Sequence, residues 1–246
     1  IVSKVMREKN FASIEEANTF LHEFTAGRRL EDIMANVEMT PEESAQELAY
    51  QAMEAQDRPS AMRLAKEALA LDPANVDASM VLINCTAESD EQQVELMREA
   101  LARTEKKLGA RFFSENKGHF WGINETRPYM RARCELVFLL MQLERIDEAI
   151  LECEGVLDLN PNDNQGMRDI LLGLYLQQRD TKKARKLMSR YKESMFAVWC
   201  YGQLLECLLS GNLSGAERAL QRAKSVNPHV LDFLIGRHKL RDSGHG

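Results

Sequence analysis

Features that mark membrane proteins and secreted proteins are missing from this sequence. No stretch approaches the roughly 18 consecutive apolar residues of a membrane span, and charges occur throughout the first 30 residues, where a signal peptide would be apolar. The five cysteines are odd in number, widely spaced and never arranged as Cys-x-x-Cys, which argues against a disulfide framework. We therefore expect a cytoplasmic protein with no membrane partner.

Residue patterns typical of catalysis and metal binding are also lacking. The five histidines do not cluster with the cysteines, so we expect no metal site, and we expect no cofactor. No glycine-framed serine elbow and no Cys-His signature appears, so the chain is predicted not to be an enzyme. With 38 acidic and 32 basic residues the net charge is -6, which gives no reason to expect a nucleic acid partner.

What the sequence does contain is a regular spacing of proline and alanine. Hydrophobic residues make up 44% and charged residues 28%, so a folded core can be built. Three prolines each follow Asp or Asn and lie twelve residues after an alanine; the pairs are Ala61 with Pro73, Ala149 with Pro161, and Ala216 with Pro228. The last two prolines are 67 residues apart, close to two units of the 34-residue helical repeat.

From Glu42 to Pro228 the chain thus resembles a tetratricopeptide repeat array. The resemblance implies an all-α fold, a right-handed α-α superhelix in which each helical hairpin covers the apolar face of the next. Small side chains at the repeat sites, such as Ala45, Ala49 and Ala65, let paired helices approach closely. Arrays of this kind bind partners on their surfaces and seldom catalyse.

The repeat register predicts the organisation of the chain. Because Pro73 and Pro161 are 88 residues apart and two repeats need about 68, roughly 20 residues are inserted between the second and third repeats. The chain starts with Ile1 rather than methionine, which suggests either a domain cut from a longer protein or a truncated start. The predicted parts are an N-terminal helical cap 1–39, an array 40–240 with repeats 42–73, 74–105, 130–161, 165–190 and 197–228, an insertion 106–128, a C-terminal capping helix 230–240, and a tail 241–246.

Three short segments carry a narrower resemblance. They are Gly118-His-Phe-Trp-Gly122 with the following 125–133, then Asn160-Pro-Asn-Asp-Asn-Gln-Gly166, then Asn227-Pro-His-Val230 with 233–236. Together they resemble bacterial tetratricopeptide proteins similar to the suppressor-of-tumorigenicity family. This resemblance implies a scaffold and no enzymatic role.

Three arginines near the end of the insertion form the first candidate binding site. Arg127, Arg131 and Arg133 could receive an anion or a peptide carboxylate, since guanidinium groups contact such ligands through two hydrogen bonds. The alternative is internal pairing with Glu125, Glu135 or other helix carboxylates.

Aromatic residues of the insertion form the second candidate. His119, Phe120, Trp121 and Tyr129 could make an aromatic wall over a groove, because long ordered loops on scaffolds are often functional. The alternative is that they pack the insertion onto the array.

The concave groove of the array is the third candidate. In this family positions 2, 5, 9 and 12 of each unit's first helix line the groove, and they include Tyr50 in the first repeat and Phe138 in the third. Gln46 and Tyr50 stand where Lys and Asn form a carboxylate clamp for chaperone tails, so a chaperone tail is not expected as the ligand.

These observations predict a scaffold that binds a protein or peptide segment in its groove, with the insertion 106–128 shaping or gating that groove. One alternative is an accessory or regulatory domain of a longer bacterial enzyme or nucleic-acid-associated protein. Another is self-assembly into a homo-oligomer through an exposed helical end.

Overall fold

A computed structural model of the chain describes residues 11, 13–27, 39–192 and 196–238. In these residues the fold is all-α, as predicted, and no strand occurs. The tail 241–246 and residues 28–38 of the N-terminal cap lie outside the described residues. The helices are α1 (Ile14–Thr25), α2 (Pro41–Glu54), α3 (Arg58–Leu71), α4 (Val76–Thr86), α5 (Asp90–Asn116), α6 (Arg127–Gln142), α7 (Ile146–Leu159), α8 (Met167–Gln177), α9 (Thr181–Arg190), α10 (Ala197–Leu209), α11 (Leu213–Val226) and α12 (His229–Leu234).

Side-chain caps mark the start of several array helices. At α2 the Thr40 hydroxyl accepts from the Glu43 backbone N–H, and the Glu43 carboxylate accepts from the Thr40 N–H at 2.9 Å. Asp57 and Asn75 cap α3 and α4 in the same way through their side-chain oxygens. Such caps satisfy backbone N–H groups that have no partner within the helix, so they fix where these helices begin.

The helices pair consecutively into five hairpins, which we number units 1 to 5. Unit 1 is α2 with α3, unit 2 is α4 with α5, and the pairs α6–α7, α8–α9 and α10–α11 follow. Each second helix also contacts the first helix of the next unit, and first helices contact each other directly in α2–α4, α4–α6 and α8–α10. First helices therefore line one side of the array, as the groove hypothesis requires.

The core changes in character along the array. Between units 1 and 2 it consists of small side chains, which bring the helix backbones close together; the buried alanines are Ala45, Ala49, Ala52, Ala65, Ala68 and Ala78. From unit 2 to unit 4 it is built from larger groups such as Met97, Leu136 and Leu172. The larger side chains of units 2 to 4 bury more apolar surface per residue than the alanines of units 1 and 2 do, so the middle units should be the most stable part of the array.

The insertion between units 2 and 3 differs from its predicted form. Residues 106–116 do not form a loop but extend α5, with a break in helical geometry at Gly109, where φ is 80°. Two short 3-10 turns, 120–122 and 124–126, complete the connection. α6 begins at Arg127 rather than at Met130, because Pro128 occupies the first helical turn, where its missing N–H costs nothing.

The C-terminal end also differs from prediction. The sequence predicts a capping helix over 230–240, whereas α12 covers 229–234 and is followed by turn residues up to His238; residues 239–240 lie outside the described residues. Gly236, with φ of 74°, adopts the left-handed conformation that ends a helix, and it explains why the apolar pattern around Phe233 does not continue as helix.

Charge pairing ties the middle units together through α7, which carries five carboxylates and no base. Four of these carboxylates pair with bases on other elements: Glu148 with Arg98 and Arg145, Glu152 with Arg133, Glu154 with Lys183, and Asp158 with Lys117. The partners come from units 2, 3 and 4 and from their connections. α7 thus contributes to the register between three successive hairpins.

Stability at low pH should depend on Glu148. Hydrogen bonds from Arg145 and Arg98 lower the pKa of Glu148 from 4.5 to about 2. A carboxylate whose pKa is depressed on folding stabilises the fold above its unfolded pKa, and this contribution is lost as the pH falls from about 4.5 towards 2. We expect Glu148→Gln to be less stable than wild type at pH 7 and to lose less of its stability over that pH range.

The measurement is the urea concentration at the midpoint of unfolding, monitored by circular dichroism at several pH values between 7 and 2. Glu99→Gln is the control, because Glu99 is exposed and its contact with Arg103 is long, at 3.9 Å, so the pair should contribute little to stability. Parallel pH profiles for Glu148→Gln and wild type would contradict the assignment.

Candidate functional site

The three candidate arginines lie close together in sequence but contact three different places. Arg127 donates from Nε to the Trp121 carbonyl at 3.0 Å and lies over the Trp121 ring. Arg131 pairs with Asp77 on α4, and Arg133 pairs with Glu152 on α7. Each guanidinium therefore has an internal partner, which favours the alternative of structural pairing over a shared anion site.

A polar cluster bridges the first helices of units 1, 2 and 3. At its centre Asp77 is 2% exposed, and its Oδ2 accepts from the Arg131 guanidinium and from Gln46 Nε2 at 2.7 Å. Gln46 in turn accepts through Oε1 from Asn75 Nδ2 at 3.2 Å. One buried carboxylate thus joins α2, α4 and α6, and it holds the floor of the groove in a fixed arrangement.

Glu135 adds negative charge beside this cluster. Glu135 is exposed, but partial desolvation raises its pKa, nearby Asp77 raises the pKa further, and Arg131 opposes both effects. Asp77 and Glu135 thus share the field of a single arginine. A cation brought by a ligand would stabilise the ionised form of Glu135.

The aromatic residues of the insertion are distributed between the core and the surface. Phe120 and Tyr129 are 0% and 1% exposed, and the Phe120 ring lies 4.9 Å from that of Phe113 on the extended α5. Trp121 is half-buried and His119 is exposed. Burial of Phe120 and Tyr129 favours the packing alternative, because a ligand at the surface cannot reach either ring.

Tyr129 and Arg133 belong to a second buried network between units 2 and 3. Burial raises the pKa of the Tyr129 phenol, which donates a hydrogen bond to Glu105 at 2.7 Å. The Arg133 guanidinium lies 5.8 Å from the centre of the Tyr129 ring and donates to Glu152 from Nε at 2.8 Å. Gly155 leaves the space for this guanidinium, since an added Cβ there would lie 2.4 Å from it.

In units 1, 3 and 5 some of the groove positions carry exposed apolar side chains. We count position 1 of units 1, 3 and 5 at Glu42, Met130 and Ala197. At position 9, Tyr50, Phe138 and Leu205 are 44%, 49% and 44% exposed. The other exposed large apolar side chains at positions 2 and 12 are Met53, Val198 and Leu208.

Sequence reasoning named this row only in units 1 and 3. The same position rule, continued to unit 5, would have found Val198, Leu205 and Leu208. It could not have found Asp77 as the partner of Arg131, because the two residues are 54 positions apart and no pattern links them.

Chemically reactive groups are sparse in the described part of the chain. There, no group of three or more His, Cys, Asp or Glu is arranged to hold a metal. Burial raises the pKa of Cys134 and of Cys153 to about 12, which makes both thiols poor nucleophiles. No helix in the same residues combines the length and apolar content that crossing a bilayer requires.

Comparison with solved structures supports the fold. YrrB, described as a TPR protein with an unusual peptide-binding site, superposes with a TM-score of 0.57 and 17% identity, over 85% of this chain and 97% of that one. PilF of Pseudomonas aeruginosa covers 81% of this chain and 99% of its own at 16% identity, but its TM-score of 0.35 supports no argument. The sequence matches no protein-family model and no curated protein.

The chain therefore has the fold of a TPR solenoid, and the predicted all-α superhelix is confirmed. The narrower resemblance to the suppressor-of-tumorigenicity family stays a prediction. The predicted binding roles of individual residues also remain predictions, and the geometry separates those that a ligand can reach, such as Tyr50 and Phe138, from those in the core.

Removing the Asp77 carboxylate should destabilise units 1 to 3. Asp77→Ala leaves Gln46 without an acceptor and Arg131 without its counter-ion, and breaking a buried pair in this way costs about 3 kcal/mol. A value at the low end is expected because the Arg131 side chain is 35% exposed and keeps some hydration. Urea unfolding followed by circular dichroism measures the loss. Asp158→Ala, which removes an exposed carboxylate, is the control, and equal losses for the two variants would refute the bridging role.

Two glycine substitutions on helices should have opposite effects. Gly155→Ala is expected to displace the Arg133 guanidinium and to lower the free energy of unfolding by about 1 to 3 kcal/mol. Gly173→Ala on α8 has nothing within 4 Å of the added Cβ, so helix propensity should raise stability by about 0.5 to 1 kcal/mol. Thermal unfolding compares them, and stabilisation by both substitutions would show that Arg133 relocates at no cost.

Proposed function

We propose that the groove along the first helices of units 1 to 3 binds an extended segment of another protein. The observation that carries this proposal is the row of exposed apolar side chains at the groove positions, Tyr50 and Met53 on α2 and Phe138 on α6. Single exposed apolar residues are ordinary on a protein surface, but an exposed apolar side chain at the same helix position in units 1, 3 and 5 is typical of a recognition surface.

The floor beneath this row suits a ligand that binds without rearranging the array. Asp77 joins the three first helices through Gln46 and Arg131, so the spacing between Tyr50 and Phe138 is held by buried polar contacts. A preorganised groove loses little conformational entropy when it binds, which leaves more of the burial energy for affinity. The likeness in fold to YrrB, a TPR protein described as having a peptide-binding site, supports the same class of ligand.

Charge refines the kind of segment that fits. Glu135 is exposed one helical turn from Phe138 on α6, and partial desolvation and nearby Asp77 raise its pKa. A lysine or arginine of the ligand would restore favourable ionisation there, while apolar side chains of the ligand cover Tyr50 and Phe138. We therefore propose an apolar segment with an adjacent basic residue as the ligand class.

The proposal is tested with peptides selected from a random library on the wild-type protein. Fluorescence polarisation then compares their affinity for wild type, Tyr50→Ser and Phe138→Ser. Loss of an aromatic anchor at the centre of a binding site costs about 2 kcal/mol or more, so affinity should fall about thirtyfold for each variant.

Leu151→Ser is the matched control, because Leu151 is an exposed apolar residue on the second helix of unit 3, away from the groove positions. It should bind the selected peptides as wild type does. If both groove variants keep wild-type affinity, the ligand does not occupy this groove and the proposal fails.

A further inference from the structure

α9 and the turn that follows it form the most basic segment of the described chain. Residues 181–192 contain six basic and no acidic residues, and all six bases are exposed. Two of them are engaged by carboxylates, Lys183 by Glu154 at 3.1 Å and Arg185 by Glu206. Within the described residues no carboxylate pairs with the other four, which are Lys182, Lys186, Arg190 and Lys192.

A cavity of about 360 Å³ opens beside this segment, between α9, α10 and α11. Arg185, Lys192 and Arg222 contribute positive charge to its lining, and Glu206 is the one carboxylate among the lining residues. Gln203 and Asn212 add amide N–H donors. The lining therefore carries a surplus of positive charge together with neutral donors, which is the chemistry that receives a carboxylate.

The basic residues of this segment occupy two sides of α9. Lys182 and Lys186 are one turn apart on the outer side of α9, and Arg185 and Lys192 extend from the same helix and its following turn towards the cavity. Like charges one helical turn apart, such as those of Lys182 and Lys186, repel each other. A bound anionic chain would relieve that repulsion.

The distribution of charge along the chain selects a short anion over a long one. Residues 40–105 carry fourteen acidic and five basic residues, whereas residues 181–238 carry four acidic and ten basic ones. A nucleic acid that followed the array would meet the acidic units 1 and 2 and be repelled. A short peptide can bind at units 4 and 5 alone.

We propose that α9 and the adjacent cavity bind an acidic segment of a partner protein, with its Asp or Glu side chains placed against Lys186 and Lys192. Acidic motifs are commonly recognised by such clusters of bases. This surface is separate from the groove residues Tyr50 and Phe138, so its test is independent of the function proposed above.

The test measures fluorescence polarisation of a labelled decaglutamate peptide with wild-type protein. Binding is expected at low sodium chloride concentration and should weaken as salt rises. Lys186→Glu combined with Lys192→Glu should reduce affinity by about tenfold or more, because two attractions become repulsions. The control is Lys66→Glu with Arg111→Glu, which changes the net charge equally at exposed positions on α3 and α5.

Four outcomes would overturn the proposal. Decaglutamate does not bind at low salt, or the control variant loses as much affinity as the α9 variant. A single-stranded oligonucleotide of equal charge binds α9 as tightly as the peptide does, which would make nucleic acid the ligand. Light scattering shows that wild type self-associates and that the α9 variant does not, which would make a second copy of the chain the occupant.

Discussion

A helical hairpin in this chain cannot bury its apolar face alone, and the next hairpin must cover it. Each second helix packs against its own first helix and against the first helix of the following unit. This requirement fixes the order of the units, because a hairpin taken out of sequence would expose the groups that its neighbour shelters. It also leaves part of the first helices α2, α6 and α10 uncovered, and the uncovered parts carry Tyr50, Phe138 and Leu205.

Polar contacts fix the relative positions of the helices more closely than apolar burial does. Packing of the alanines in units 1 and 2 tolerates small shifts along the helix axes, whereas the hydrogen bonds of Asp77 to Gln46 and Arg131 do not. The carboxylates of α7 have the same effect in units 2 to 4, although most are partly exposed and each contributes little alone. Together they favour one arrangement of the helices, because each carboxylate pairs with a base on a particular neighbouring element.

The fold could be predicted from sequence and the contacts of individual side chains could not, for a physical reason. Alanines such as Ala61 and prolines such as Pro161 recur at fixed spacing because each unit repeats the same close approach and the same turn. Arg131 has no such constraint, since its partner Asp77 lies in another unit and is chosen by the three-dimensional stacking. The burial of Phe120 could not be predicted from sequence either, because it depends on the extension of α5 to Asn116.

The two proposed surfaces consist of groups that folding leaves without partners within the described residues, namely some of the basic side chains on α9 and the exposed apolar side chains in the groove. In the middle of the array the acidic helix α7 finds bases on every side, and its charges are mostly satisfied within the molecule. α9 has the opposite composition, and among the described residues only Glu154 and Glu206 form ion pairs with it. The excess charge therefore remains on the surface, as the apolar row does in the groove. Each surface calls for a different chemistry, so one chain of this architecture can hold an apolar segment at one end and an acidic segment at the other.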